Sequence, residues 1–126
     1  MTAFVYDTGA LVAAERRSWR LWGLHDEVMA VGRYPLVPAA VLGQAWRGGP
    51  QQQLSRALRG CVVVPDTEEL ARAAGAACAA VGTSDIVDAL VVVLAVRHQA
   101  VIVTSDPDDL TRITDGLGAK LQLHLV

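Results

Sequence analysis

Residues 85–106 read DIVDALVVVLAVRHQAVIVTSD, and two periods meet in them. From Asp85 to about His98 the stretch is apolar nearly all round, which predicts a helix buried inside a domain. Ala100–Thr104 is short and rich in β-branched residues, which predicts a strand. A buried helix leading straight into an apolar strand is half of a parallel strand–helix–strand unit. An Asp stands at each end of this one.

The same grammar extends in both directions. Upstream, Ala3–Tyr6 is a strand ending at Asp7, followed by helices over Thr8 to about Ala14 and about Arg17 to Val31, with Gly32 as a stop. Pro35–Val37 is a second strand. Helices follow from about Ala39 to Arg47, halted by Gly48-Gly49-Pro50, and over Gln51–Arg59, ended by Gly60. Cys61–Val64 is a third strand. Thr67 is placed to cap a helix running to about Val81, with Glu68 and Glu69 where the helix dipole favours anions. Gly82-Thr83-Ser84 breaks it. Downstream of Asp106, Pro107–Ile113 predicts a helix and Leu121–Leu125 a last strand. Apolar strands alternating with helices predict an α/β fold: a central, mainly parallel sheet with helices on both faces. No repeat, low-complexity segment or linker interrupts the pattern, so residues 1–126 read as a single domain.

The composition fits a globular chain: 52% hydrophobic, 19% charged, mean hydropathy +0.34. That apolar balance suggests a face to be covered, by a homodimer or another partner. Cys61 and Cys78 have no ligand-like spacing and predict two buried reduced thiols, which suits a cytoplasmic protein. No secretory leader is visible, and Ala89–Val96, the longest apolar run, is too short to span a bilayer. Net charge is −2, but unevenly spread: residues 1–60 hold seven arginines against four acids, and residues 61–126 hold four basic residues against nine acids. Such halves suit a phosphate-facing rim and a metal cage, although on charge alone solvated faces are the more common explanation.

In parallel sheets functional groups gather at the carboxyl ends of strands. Asp7 and Asp106 both sit there. Asp85 and Asp88 are three apart on one helix and share a face. Asp88 lies within an apolar stretch, where a carboxylate is costly unless a cation, hydrogen bonds or a cleft receives it. Asp85 has a second use as a helix cap. Brought together at one edge, Asp7, Asp88 and Asp106, with Asp85 and Asp109 beside them, require a counter-charge. Two carboxylates about 4 Å apart repel by about 4 kcal/mol at an effective dielectric of about 20. A hard divalent ion, Mg²⁺ or Mn²⁺, answers that need through oxygen ligands. Scattered histidines (His25, His98, His124) argue against zinc, and no phosphate-cradling loop occurs. A phospho-receiver domain would want a lysine near the acids, whereas the one lysine is Lys120.

Four segments, in order, resemble the successive motifs of the PIN domain family. They are Tyr6-Asp7-Thr8, the helix bearing Gln44, Asp85-Ile86-Val87-Asp88-Ala89, and Thr104-Ser105-Asp106-Pro107-Asp108-Asp109-Leu110. The compact length resembles the VapC-type toxins of VapBC toxin–antitoxin pairs. The resemblance implies a metal-dependent endoribonuclease acting on structured RNA of the transfer or ribosomal class. It implies restraint by a small antitoxin that docks a helix and sends an Arg into the acidic pocket. It matches Asp7, Asp88 and Asp106 to the family's core acids, Asp85 and Asp109 to acids often present, and Thr8 to a common hydroxyl. The family usually has Glu where this chain has Gln44. A Gln offers a carbonyl oxygen but no charge, so a single or weaker metal is expected, with Asp85 compensating. The alternative is a catalytically weakened module that binds RNA or protein. Ser105 can hydrogen-bond a ligand carboxylate or a phosphate, and Arg16, Arg17, Arg20 and Arg47 can hold flanking phosphates. Trp19, Trp22 and Trp46 are candidates for core or for an interface.

Overall fold

The computed structural model describes residues 2–126. Five strands alternate with seven helices. The strands are β1 (Phe4–Tyr6), β2 (Leu36–Pro38), β3 (Val62–Val64), β4 (Val101–Thr104) and β5 (Leu123–Leu125). The helices are α1 (Thr8–Glu15), α2 (Trp19–Ala30), α3 (Ala39–Ala45), α4 (Gln52–Arg59), α5 (Glu68–Val81), α6 (Ile86–His98) and α7 (Asp108–Gly116). The strands form one parallel sheet in the order β3-β2-β1-β4-β5.

The register places the site. Val5 lies opposite Ile102 and Tyr6 opposite Val103, so Asp7 and Thr104 come next to each other at the carboxyl edge. The backbone N–H of Asp7 continues the ladder by donating to the Val103 carbonyl at 3.2 Å. The direction in which strands are added to the sheet also reverses here. From β1 the chain builds outward to β2 and β3, then crosses back to β4, so a crevice opens between β1 and β4.

The helices sort into two packed groups, α1 to α4 and α5 to α7. Alternation along β1 aims Tyr6 at α2, where its hydroxyl meets Nδ1 of the buried His25 at 2.9 Å, and aims Val5 the opposite way. Val5, Tyr6, Val37, Ile102 and Val103 are fully buried between the layers, joined by Leu11 of α1 and by Val91 and Val92 of α6. Removing that much apolar surface from water is the main force holding the layers together.

Helix ends follow their caps. Thr67 accepts the Leu70 N–H at 3.2 Å, and Gly82 closes α5 in the left-handed region at φ +74°. Several boundaries differ from the sequence expectation, β5 among them, which starts at Leu123 rather than Leu121. Arg16 closes α1 and Arg17 turns left-handed at φ +60°, so α2 starts only at Trp19, capped by Ser18. Trp46 turns extended, so α3 stops before Arg47. Conversely, α7 runs past Ile113 to Gly116, ahead of Gly118 at φ +66°. Of the two free thiols only Cys78 is buried; Cys61 is half-buried just before edge strand β3, where Val62 and Val63 face solvent. No single helix among the described residues is long and apolar enough to cross a membrane.

Candidate metal centre

Asp7 belongs to two elements at once. It ends β1, and its Oδ1 caps α1 by accepting the Ala10 N–H at 2.8 Å. The residue is only 6% exposed. Burial is the main force pushing its carboxyl up to about 6, and the charge of Asp106 adds to it. The hydrogen bond from the Ala10 amide, with the nearby Thr104 hydroxyl and Gly9 amide, holds it down in part. Gly9 is glycine for steric reasons, since a Cβ there would overlap the Ser105 hydroxyl and press on the Ser105 amide at 3.2 Å.

Asp85, Asp88 and Asp109 form a tighter group, each offering a carboxylate oxygen within 4.8 Å of the others. Asp85 caps α6 by accepting the Asp88 N–H at 3.3 Å, which fixes the two on one face. Asp109 arrives from the first turn of α7. Asp88 is pushed up to about 7, first by burial, then by its hydrogen bond with Asp85 and by the charges of Asp85, Asp7 and Asp109. Thr83 ties the elements together: its hydroxyl oxygen accepts the Asp85 N–H at 3.2 Å and a guanidinium N–H of Arg112, on α7, also at 3.2 Å.

This donor set fits a hard divalent cation. It is all carboxylate oxygen and it is crowded, with Asp88 pushed up by burial and by the acids around it. The three histidines take no part: His25 is buried against Tyr6 and Trp22, and His98 and His124 are exposed.

The structure brings Asp7, Asp85, Asp88 and Asp109 into one electrostatic cluster. Asp106 is exposed and bears on Asp7 rather than on the three-acid group. Thr8 and Gln44 meet directly, the Thr8 hydroxyl donating to Gln44 Oε1 at 2.6 Å. Ser105 is exposed beside Gly9. Arg16 and Arg17 stand at the other end of α1, about 12 Å of helix away from Asp7 at about 1.5 Å per residue. Arg47 is exposed, with its guanidinium on the carbonyls of Gly43 and Trp46. Sequence reasoning did not single out Gly9, Thr104, Thr83 as a ligand-positioning hydroxyl, or Arg112. Only Thr104 carried a signal, a hydroxyl closing an apolar strand beside Asp7's strand.

The sequence matches the family model described as PIN domain over residues 40–116, more than half of the chain. The chain belongs to the PIN domain family. The match includes Asp85, Asp88, Asp106 and Asp109 but not Asp7, whose place in this PIN domain rests on the β1–β4 register. Among solved structures, a chain of VapBC2 from Rickettsia felis, crystallised bound to a DNA fragment from their promoter, has a similar fold. It is 16% identical with a TM-score of 0.70, and the match covers 99% of both chains. A protein from Pyrobaculum aerophilum is 17% identical with a TM-score of 0.59, over 97% of this chain and 83% of that one. No curated protein matches the sequence.

Proposed function

We propose that this PIN domain is a metal-dependent endoribonuclease toxin that cleaves structured RNA of the transfer or ribosomal class and is held inactive by a small cognate antitoxin. The observation that carries the reading is the carboxylate group of Asp85, Asp88 and Asp109 within 4.8 Å, with the charge of the buried Asp7 bearing on Asp88 of α6.

In this reading Asp7, Asp88, Asp85 and Asp109 hold Mg²⁺ or Mn²⁺, and Asp106 joins them directly or through water. The ion supplies Lewis acidity toward the scissile phosphate and makes water a stronger nucleophile. The protein's share is positional. The α1 cap fixes one oxygen of Asp7, the α6 cap fixes one of Asp85, and the Arg112–Thr83 link sets α7 against α6. The Thr8 hydroxyl is engaged by Gln44, so Ser105 is the hydroxyl that would donate to a phosphate, and Arg16, Arg17 and Arg47 would hold flanking phosphates. The antitoxin reading is supported by the fold shared with a VapBC2 chain and by an apolar groove of about 600 Å³ between α3 and α4, lined by Leu42, Trp46, Leu58 and Arg59. A helix with an apolar stripe suits such a groove.

Gln44 favours a second reading, a PIN scaffold that binds RNA or protein with weakened catalysis. Both are tested by incubating purified, antitoxin-free protein with a pool of structured RNAs in Mg²⁺, Mn²⁺ or chelator, beside an Asp7→Asn variant prepared identically. Metal-dependent cuts that vanish in the variant establish the nuclease. Intact RNA throughout, with Gln44→Glu restoring cuts, points to the weakened site, and intact RNA even then favours the binding module.

A further inference from the structure

Trp19 is the most exposed of the large hydrophobic residues, at 78%. A tryptophan left this open forgoes the largest burial gain of any side chain, so its place on the surface needs a reason. Its surroundings are cationic. The Arg20 guanidinium sits 5.3 Å from the ring centroid, and Arg16 and Arg17 lie on the same turn just before it, both exposed. Arg17 is left-handed, at φ +60°, in the turn that joins α1 to α2.

None of these three guanidiniums has a carboxylate. Among the described residues the two ion pairs are Arg72–Glu68 and Arg97–Glu69, both in the second half of the chain. Glu15, the neighbouring acid on α1, is committed elsewhere, accepting the Leu54 N–H at 2.7 Å. Beside the indole is a recess of about 420 Å³ lined by Gly23, Leu24, His124 and Leu125, with Glu27 as its one acid.

We propose that Trp19 is a stacking platform for an unpaired RNA base, with Arg16, Arg17 and Arg20 binding the adjoining phosphates. The inference deepens the nuclease reading and rests on RNA being the ligand. An indole face with unpaired arginines around it is what single-stranded nucleic acid requires: a π-surface for the base and fixed cations for the backbone. Glu27 at the rim offers an acceptor to an exocyclic amino group. The surface is separate from the acidic cluster, at the far end of α1, so it would bind a part of the RNA remote from the cut.

The test uses the full chain carrying Asp7→Asn, in chelator, so that binding is read without cleavage. Fluorescence anisotropy follows two probes of equal length: a single-stranded mixed-sequence oligoribonucleotide and its abasic counterpart. Trp19→Ala is expected to weaken the base-containing probe about five- to one-hundredfold, with Trp19→Phe retaining most of the affinity. The abasic probe should be indifferent to both. Arg16→Ala with Arg17→Ala should weaken both probes and lower the salt dependence by about one counterion or more. If Trp19→Ala binds both probes as its parent does, the platform is overturned. Overturning is equally clear if the variant leaves RNA binding intact but loses self-association in sedimentation, since the face is then a protein interface. Absence of cleavage by the unmutated protein in Mn²⁺, with Trp19-dependent binding preserved, removes the nuclease reading alone.

Discussion

The Thr8 hydroxyl donates to Gln44 Oε1 at 2.6 Å, joining the residue after Asp7 to helix α3. A glutamate at position 44 would accept the same hydrogen bond and add a negative charge beside Asp7. Gln44→Glu is therefore expected to raise Mn²⁺ affinity about three- to tenfold, the effect of one added charge at several ångströms in a moderately polarisable site. Electron paramagnetic resonance titration of free Mn²⁺ measures this directly. Unchanged affinity would show that position 44 lies outside the ion's environment.

The carboxyls also set how metal-free stability depends on pH. Asp7, at about 6, and Asp88, at about 7, hold protons more tightly in the folded state than in the unfolded chain. Their contribution is whole below the ordinary carboxylate range and is lost as pH rises through 6 to 7. His25 runs the other way: burial lowers its proton affinity, so protonating it below its ordinary range also weakens the fold. In chelator, melting temperature should fall between about pH 4 and 7, and saturating Mg²⁺ should abolish the fall because ligand carboxylates bind the ion ionised. Asp88→Asn removes the dominant group. It should stabilise the metal-free protein at pH 8 by about 1 kcal/mol, a figure discounted for the partial exposure of the site. A melting curve that rises with pH in chelator would contradict the assignment.

The periodicity of residues 85–106 was enough to predict the parallel architecture, because a helix apolar all round has nowhere to go but between a sheet and other helices. The acids Asp7, Asp85 and Asp88 were legible for a related reason: each sits where a strand ends or a helix begins, and those positions are visible locally. The relation of Asp109 to Asp106 was not. Both follow β4, and which one reaches α6 depends on how α7 packs on α6, a tertiary fact. Gly9 was silent too, since its need for space comes from Ser105, remote in sequence. The exposure of Trp19 was beyond composition, because an indole at a helix start reads as core or surface with equal ease.

Gly9 offers a test of how tightly β1 and β4 are coupled. In an exposed helix Gly→Ala is ordinarily stabilising by about 1 kcal/mol. Here the new methyl would collide with the Ser105 hydroxyl and crowd Asp7 Oδ1, which lies 3.4 Å away. Gly9→Ala should instead destabilise by about 1–3 kcal/mol in urea denaturation, the range for overpacking. Adding Ser105→Ala removes the colliding oxygen and should recover about half of the loss. Recovery cannot be complete, because the Ser105 amide remains 3.2 Å from the methyl. If Gly9→Ala is neutral, the loop after β4 does not press on α1 as described.

Asp109 and Asp106 should separate in their effects on the metal. Both are exposed, but Asp109 shares the three-acid group with Asp85 and Asp88, whereas Asp106 acts on Asp7. Asp109→Asn therefore removes both a donor oxygen and one of the charges that raise Asp88. Mn²⁺ affinity should fall about tenfold or more, in line with loss of a carboxylate ligand to a hard cation. The metal-free protein should simultaneously become more stable at pH 8, because Asp88 then ionises with less repulsion. Asp106→Asn should weaken Mn²⁺ less and leave the Asp88 titration unmoved, which carbon-detected NMR of the aspartate carboxyls can follow. The opposite order, with Asp106→Asn the more damaging, would move the centre of the site from the α6–α7 contact to the β1–β4 crevice.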